Sequence, residues 1–451
     1  MNSSPPSRRS VLRWGAGAAG SLAALPALTA CGQTVGAART TTQAPTRRGQ
    51  KVRLVFWTWV PMQKTVDLWN RTHPDIQVEM QTIPANVQGG YQKMHSSLTA
   101  GNPPDLAQVE YHELPGFMLV NGLTNLSEYG ADALRDSYVP WQWKQGVFDG
   151  KVYTIPQASG PMGLFYRRDL FAKWGIETPT TWAEFEQAAR VVKARGNGAR
   201  LCAFAPNQPP WFAAMCWQRG ARWISTEGDT WVVDMDNALS REVADYWERM
   251  VRDDLVFVEP DMSSAWYKHV QTGQISAWIG PQWGDALLRG NAPGTAGKWR
   301  VAQLPQWEAG QKPASANWGG SSTAILQGTR HPREALQFAH WINTDRKAVD
   351  LNVSVGYGWP AATGVFRGSA LDKPDPFFGG QRYNDVFTVS DRSIDTSWKW
   401  SPTTDADFAQ LQDAFGAAIA ENGSLAGTLA DAQKRTVDNL LAKGLKARSA
   451  R

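Results

Sequence analysis

The chain of 451 residues has few of the side chains that hold metals or serve as nucleophiles. It contains three cysteines and six histidines. The histidines stand far apart and no Cys-x-x-Cys occurs, so a zinc site has little to build on. Gly-x-Ser-x-Gly, His-Glu-x-x-His and a Lys-bearing phosphate loop are all missing, which removes the usual signatures of serine hydrolases, zinc peptidases and nucleotide hydrolases. The formal charge of +5 is also not a feature of the whole chain. Residues 1–50 carry six arginines and no Asp, Glu or Lys. Removing those six from 46 basic residues leaves 40 against 41 acidic ones, a net of −1 for 51–451. The remaining charges are scattered and form no basic stripe, so nucleic acid is excluded as a partner. Nor is there a long apolar run. The uncharged segment from Trp14 to Ala30 is rich in Gly and Ala and broken by Pro26. A membrane span needs about 20 mostly apolar residues.

That stretch reads better as a leader. Arg8-Arg9 and Arg13 precede it, and it closes on Leu28-Thr29-Ala30-Cys31. A positive start, an apolar middle and small residues at the cut are the anatomy of a secretory signal. The paired arginines resemble a twin-arginine (Tat) export signal, and Leu-Thr-Ala-Cys resembles the lipobox of bacterial lipoproteins. Residues 1–31 are therefore expected to be a lipoprotein signal cut before Cys31, which becomes the N-terminus, takes a lipid and anchors the protein on the outer face of the cell membrane. Gly15-x-Gly17-x-x-Gly20 falls inside this leader with no strand before it, and is no dinucleotide fingerprint. Residues 32–50, rich in Thr, Ala and Arg, form a flexible tether. Cys202 and Cys216 remain. A bridge between them would close a loop of about fifteen residues, worth roughly 3 kcal/mol on a chain-entropy estimate; two buried free thiols are the alternative.

What the chain has in excess is tryptophan, 23 residues, beside 10 Tyr and 16 Phe. An indole offers a large flat face and one N–H donor. That suits the apolar C–H face of a sugar ring, and the excess over core needs calls for a ligand.

In order, Val52–Trp57 reads as a buried strand, 62–72 as a helix, and Ile76, Val78 and Met80 as an alternating strand. A helix then reaches Ala100, and Asp105–Val109 is another strand. Strand and helix in alternation give an α/β fold with a mostly parallel sheet. Ligands sit at the carboxyl ends of such strands, which here means Trp57, Trp59, Glu110 and Tyr111. Val147–Tyr153 is a hairpin turned by Asp149-Gly150. Thr181 and Glu184 form a capping box that opens a helix to Arg195. Gly280-Pro281-Gln282-Trp283-Gly284 turns a strand into a helix, Pro332 starts another helix, and two amphipathic helices near 405–421 and 426–443 end the chain.

Several segments resemble the family-1 extracellular solute-binding proteins, the maltose-binding-protein-like receptors of sugar ABC importers. They are Gly101-Asn102-Pro103-Pro104-Asp105-Leu106, Gly150-Lys151-Val152-Tyr153-x-Ile155-Pro156, Phe165–Phe171, Thr178-Pro179-Thr180-Thr181-Trp182, Gly273–Trp283 and Trp318-Gly319-Gly320-Ser321. The resemblance implies a two-lobe periplasmic-binding-protein-like fold of type II, its hinge crossed three times, near Thr154–Gly160, Ala314–Trp318 and Asn352–Gly356. One lobe would be 51–155 plus 317–350 and the other 156–316 plus 351–451. It also implies a monomer that takes a sugar or oligosaccharide between the lobes and delivers it to ABC permease subunits coupled to a cytoplasmic ATPase, without a cofactor.

A sugar pocket needs aromatic plates and a few aimed polar groups. Trp57 and Trp59, spaced i,i+2, close the first strand. Glu110 is the best acidic candidate and Tyr111 follows it. Gln157 lies near the hinge, and Trp318-Gly319-Gly320 sets a plate beside residues that admit close backbone approach. Trp283 and Trp211 resemble the family's stacking positions, Trp359 follows the third crossing, and Trp398 falls where the family often supplies a late aromatic. Packing in a core is the alternative for each. Trp141 and Trp143 have no such positional support and are read as structural. A receptor for a glycerophosphate-type ligand, or a secreted glycoside hydrolase or lectin, is the alternative function.

Overall fold

The computed structural model describes residues 50–85 and 89–450. The leader, Cys31 and nearly all of the tether lie outside them, and the export and lipidation expectations with them. Among the described residues, no helix is long and apolar enough to cross a membrane.

The first lobe is built on a six-stranded sheet. Its order is Trp359–Pro360, Thr154–Ser159, Ser321–Ile325, Leu106–Glu110, Val52–Thr58 and Ile76–Thr82. Val52–Thr58 pairs in parallel with Ile76–Thr82 and Leu106–Glu110, as strand–helix–strand alternation requires. The other three strands run antiparallel to their neighbours. The expected parallel sheet is thus its N-terminal half. Alternate residues feed opposite faces: Phe56, Leu106 and Ile325 join one core, while Trp57, Ala107 and Ala324 join another.

The second lobe centres on an antiparallel sheet of Ala277–Pro281, Met162–Arg167 and Trp299–Ala302. A parallel pair, Ala203–Phe204 with Phe257–Val258, lies in the same lobe. Its core is a large aromatic cluster around Trp182, Trp211, Trp247 and Trp266. The capping box is formed as expected: Thr181 Oγ1 accepts from the Glu184 amide at 3.1 Å, and Glu184 accepts from the Thr181 amide.

Between the lobes, the chain leaves the large sheet after Ser159 and enters the second lobe's sheet at Met162. The Ala316–Trp318 segment runs alongside: Trp318 N donates to Gly160 O at 2.9 Å and Met162 N to Ala316 O at 3.2 Å. The approach requires glycine at 160, because a Cβ there would lie 2.0 Å from Trp318 O.

Two expectations need correction. Residues after 352 do not pass directly to the second lobe. Trp359–Pro360 pairs with the Thr154–Ser159 strand, and Tyr357, Ala361, Val365 and Leu371 pack in the first lobe's core. Trp359 turns its ring into the second lobe's core from this strand, and Phe377 and Phe378 then join that core. Cys202 and Cys216 are not bridged. Both thiols are buried and free, and burial pushes both well above the ordinary thiol range.

Candidate ligand-binding site

A cleft of about 410 Å³ lies between the two lobes. Trp59, Glu110 and Gly319–Ser321 come to it from the first lobe. Asn207, Gln208, Pro210, Asp261 and Trp283 come from the second, and Trp318 from the segment between.

The carboxyl-end rule accounts for the first-lobe wall. Thr58 ends the first strand, and its Oγ1 accepts from the Val60 amide at 3.1 Å. The chain turns there, leaving Trp59 half-buried against the cleft, edge-on to Tyr91 at 6.2 Å between centroids. Glu110 ends its own strand. Tyr91 fixes it twice, donating its hydroxyl to Glu110 Oε2 and accepting the Glu110 amide, each at 3.0 Å. His112 Nε2 stands 3.9 Å from Glu110 Oε2. Burial pushes this imidazole's pKa down to about 3, so it is neutral.

Trp283 and Trp318 form a corner. Their rings meet edge to face at 5.4 Å, and Trp283 Nε1 donates to Trp318 O at 3.0 Å. Gly319 follows at φ +79°, a left-handed conformation that a side chain disfavours; a Cβ would press on Trp283 Nε1 at 3.1 Å. The second lobe applies the carboxyl-end rule again. Its two parallel strands end at Phe204 and Val258; the loops beyond carry Asn207–Gln208 and Asp261–Met262, and Pro210 stands in the first turn of the helix that follows Gln208. The Asp261 amide donates to Asn207 Oδ1 at 3.1 Å, tying one loop to the other. Asp261 and Gln208 escaped sequence reading. The signal was there, in the ends of two strands only two residues long.

Of the twelve residues expected at the site, Trp59, Glu110, Trp283, Trp318, Gly319 and Gly320 meet at the cleft. The other six do not line it, for identifiable reasons. Trp57 is still within the strand, so its ring enters a core, where Nε1 donates to Gln81 Oε1 at 2.9 Å and Lys93 Nζ covers the ring at 4.3 Å. Tyr111 is buried, its hydroxyl 3.4 Å from Gln142 Oε1. Gln157 lies buried, its amide 3.5 Å from Tyr357 O. Trp211 belongs to a helix whose Pro210 reaches the cleft while its own ring turns inward, 4.8 Å from Trp247, with Nε1 donating to Ile279 O at 3.1 Å. Trp359 packs on Phe366 at 5.2 Å. Trp398 stacks on Trp217 at 5.0 Å in the second lobe's core.

Two lobes enclosing an aromatic cleft with a few fixed polar groups define a ligand-capturing protein of the two-lobe periplasmic type. The family of bacterial extracellular solute-binding proteins matches residues 58–349, and the chain belongs to it. Among characterised relatives, the arabinooligosaccharide-binding protein of Halalkalibacterium halodurans is 24% identical over 65% of this chain and 68% of its own. The lactose-binding protein of Rhizobium radiobacter is 24% identical over 73% and 79%. Among solved structures, the galacto-N-biose/lacto-N-biose I-binding protein of an ABC transporter from Bifidobacterium longum, in complex with lacto-N-biose, superposes with a TM-score of 0.81. It is 28% identical, over 89% of this chain and all of that one.

Proposed function

We propose that the chain is the extracytoplasmic substrate-binding component of a carbohydrate ABC importer. It captures a sugar or short oligosaccharide between its lobes and hands it to the permease subunits without chemical change. The observation that carries this reading is the meeting of three indoles, Trp59, Trp283 and Trp318, from three separate segments, around one cleft of about 410 Å³ that Glu110 also lines. Pockets for small ligands run from about 300 to 1,000 Å³, so a short oligosaccharide suits this one. The sugar-binding names of the relatives support the same ligand class. The glycerophosphate alternative lacks its counter-charge: among the described residues, no Lys, Arg or His lines the cleft.

The rest of the reading follows from the sequence. The lipid on Cys31 holds the protein at the outer face of the membrane, and 32–50 gives it reach. The segments at Gly160–Met162 and Ala316–Trp318 act as a hinge in a monomeric receptor.

A thermal-shift screen of mono- and oligosaccharides, followed by calorimetric titration and product analysis, tests the function. Saturable binding with the sugar recovered intact is the expected result. Turnover would make the protein a hydrolase, and the absence of binding across the screen would overturn the carbohydrate reading.

A further inference from the structure

The charge of the cleft bears on what the sugar carries. Glu110 and Asp261 are the only acidic side chains among its described lining residues, and none there is basic. Asp261 is 8% exposed and receives only neutral donors, the Met262 amide at 2.8 Å on Oδ1 and the Trp278 indole at 3.2 Å on Oδ2. The charged group that acts on it is Glu259, of the same sign and engaged with His269 Nδ1 at 2.9 Å. Burial, and to a smaller extent Glu259, pushes the Asp261 carboxyl up to about 7 against the pull of its two N–H donors.

A carboxylate so placed is relieved by a cation brought in with the ligand, because a nearby opposite charge favours the ionised form. The indole faces of Trp283 and Trp318 attract a cation by the same sign of interaction. A uronic acid or a phosphorylated sugar meets like charge instead, which counts against it. A neutral sugar uses the carboxylate only as a hydroxyl acceptor and leaves its charge unmatched.

We propose that Asp261 is a specificity-determining residue that makes the cleft select an amine-bearing oligosaccharide over its neutral and acidic counterparts. This rests on the carbohydrate reading above. The ammonium sits beside Asp261 at the second-lobe wall, and the sugar ring lies against the indoles.

The test is calorimetric titration of the full chain at pH 7 with four β-1,4-linked disaccharides of glucose type. They are chitobiose with both amines free, N,N′-diacetylchitobiose, cellobiose and cellobiouronic acid. Chitobiose is expected to bind at least tenfold more tightly than each of the others. Asp261→Asn should bring that ratio towards one, and Asp261→Glu should restore part of it. If the Asn variant fails to fold, the ranking by the unaltered protein decides. Equal or tighter binding of any neutral or acidic disaccharide overturns this inference and leaves the carbohydrate reading standing. Silence from all four also overturns it, and the broader screen then judges the carbohydrate reading separately.

Discussion

At the scale of single residues, tryptophans with similar sequence credentials have unlike roles. Trp283 faces the cleft, whereas Trp211, one residue beyond a cleft-lining proline, fills the second lobe's core. Trp283→Ala should weaken sugar binding by about 1–3 kcal/mol, as expected of a hot-spot aromatic, while leaving the denaturation midpoint nearly unchanged. Trp211→Ala should do the reverse, costing about 3–5 kcal/mol of stability. Calorimetry and urea unfolding on both variants separate the two, and an unaltered affinity in the Trp283 variant would remove it from the site. This division was only partly legible in the sequence. Trp59 and Glu110 could be found because strand ends are local signals. The inward turn of Trp57 could not, since it depends on whether the strand stops at Thr58 or one residue later. Trp398 was beyond reach because its stacking partner Trp217 is distant in sequence and met only through the fold.

At the scale of elements, what the sequence revealed was what local chemistry decides. The Asp149-Gly150 turn forms with both residues at positive φ, and the Thr181 box caps its helix. The pairing of the Thr230–Val233 strand with Lys446–Ser449, roughly two hundred residues away, was not legible. The Asn384–Arg392 helix was missed as well, and it sets up a titration. Its Asp391 accepts from Ser159 Oγ at 3.3 Å, next to the segment that joins the lobes, and Ser159 accepts from Gln142 Nε2 at 3.1 Å. Burial pushes the Asp391 carboxyl up to about 6, although the Ser159 hydroxyl and Arg392 pull it down. The folded chain therefore holds this proton more tightly than the unfolded chain, whose Asp titrates near ~3.9. Stability from this group falls as pH rises from about 4 to about 6, and the full cost persists above that window. Asp391→Asn keeps the acceptor and removes the charge. Its stability relative to the unaltered protein should be greater at pH 8 than at pH 4, by on the order of 2 kcal/mol. Urea unfolding at the two values checks this, and no difference between them would show the carboxylate to be solvated.

At the scale of the whole molecule, binding is expected to draw the lobes together. A ligand shifts such an equilibrium only by its preference for the closed state, and one that touches both walls of the cleft has that preference. Solution scattering with and without a ligand found in the screen should show a smaller radius of gyration when it is bound; an unchanged curve would argue for a rigid cleft. Anchoring belongs to this scale too. Cys31→Ser should move the protein from the membrane fraction to the medium or the periplasm. A variant still held at the membrane would place the anchor elsewhere.

The distribution of indoles has a practical consequence. Three of the 22 tryptophans among the described residues line the cleft, so an emission titration averages the responsive rings with the others, and only roughly a seventh of these emitters meet the ligand directly. Spectroscopy that gives each ring its own line avoids this dilution. Fluorine-labelled tryptophan would let Trp59, Trp283 and Trp318 be followed one by one as the sugar arrives.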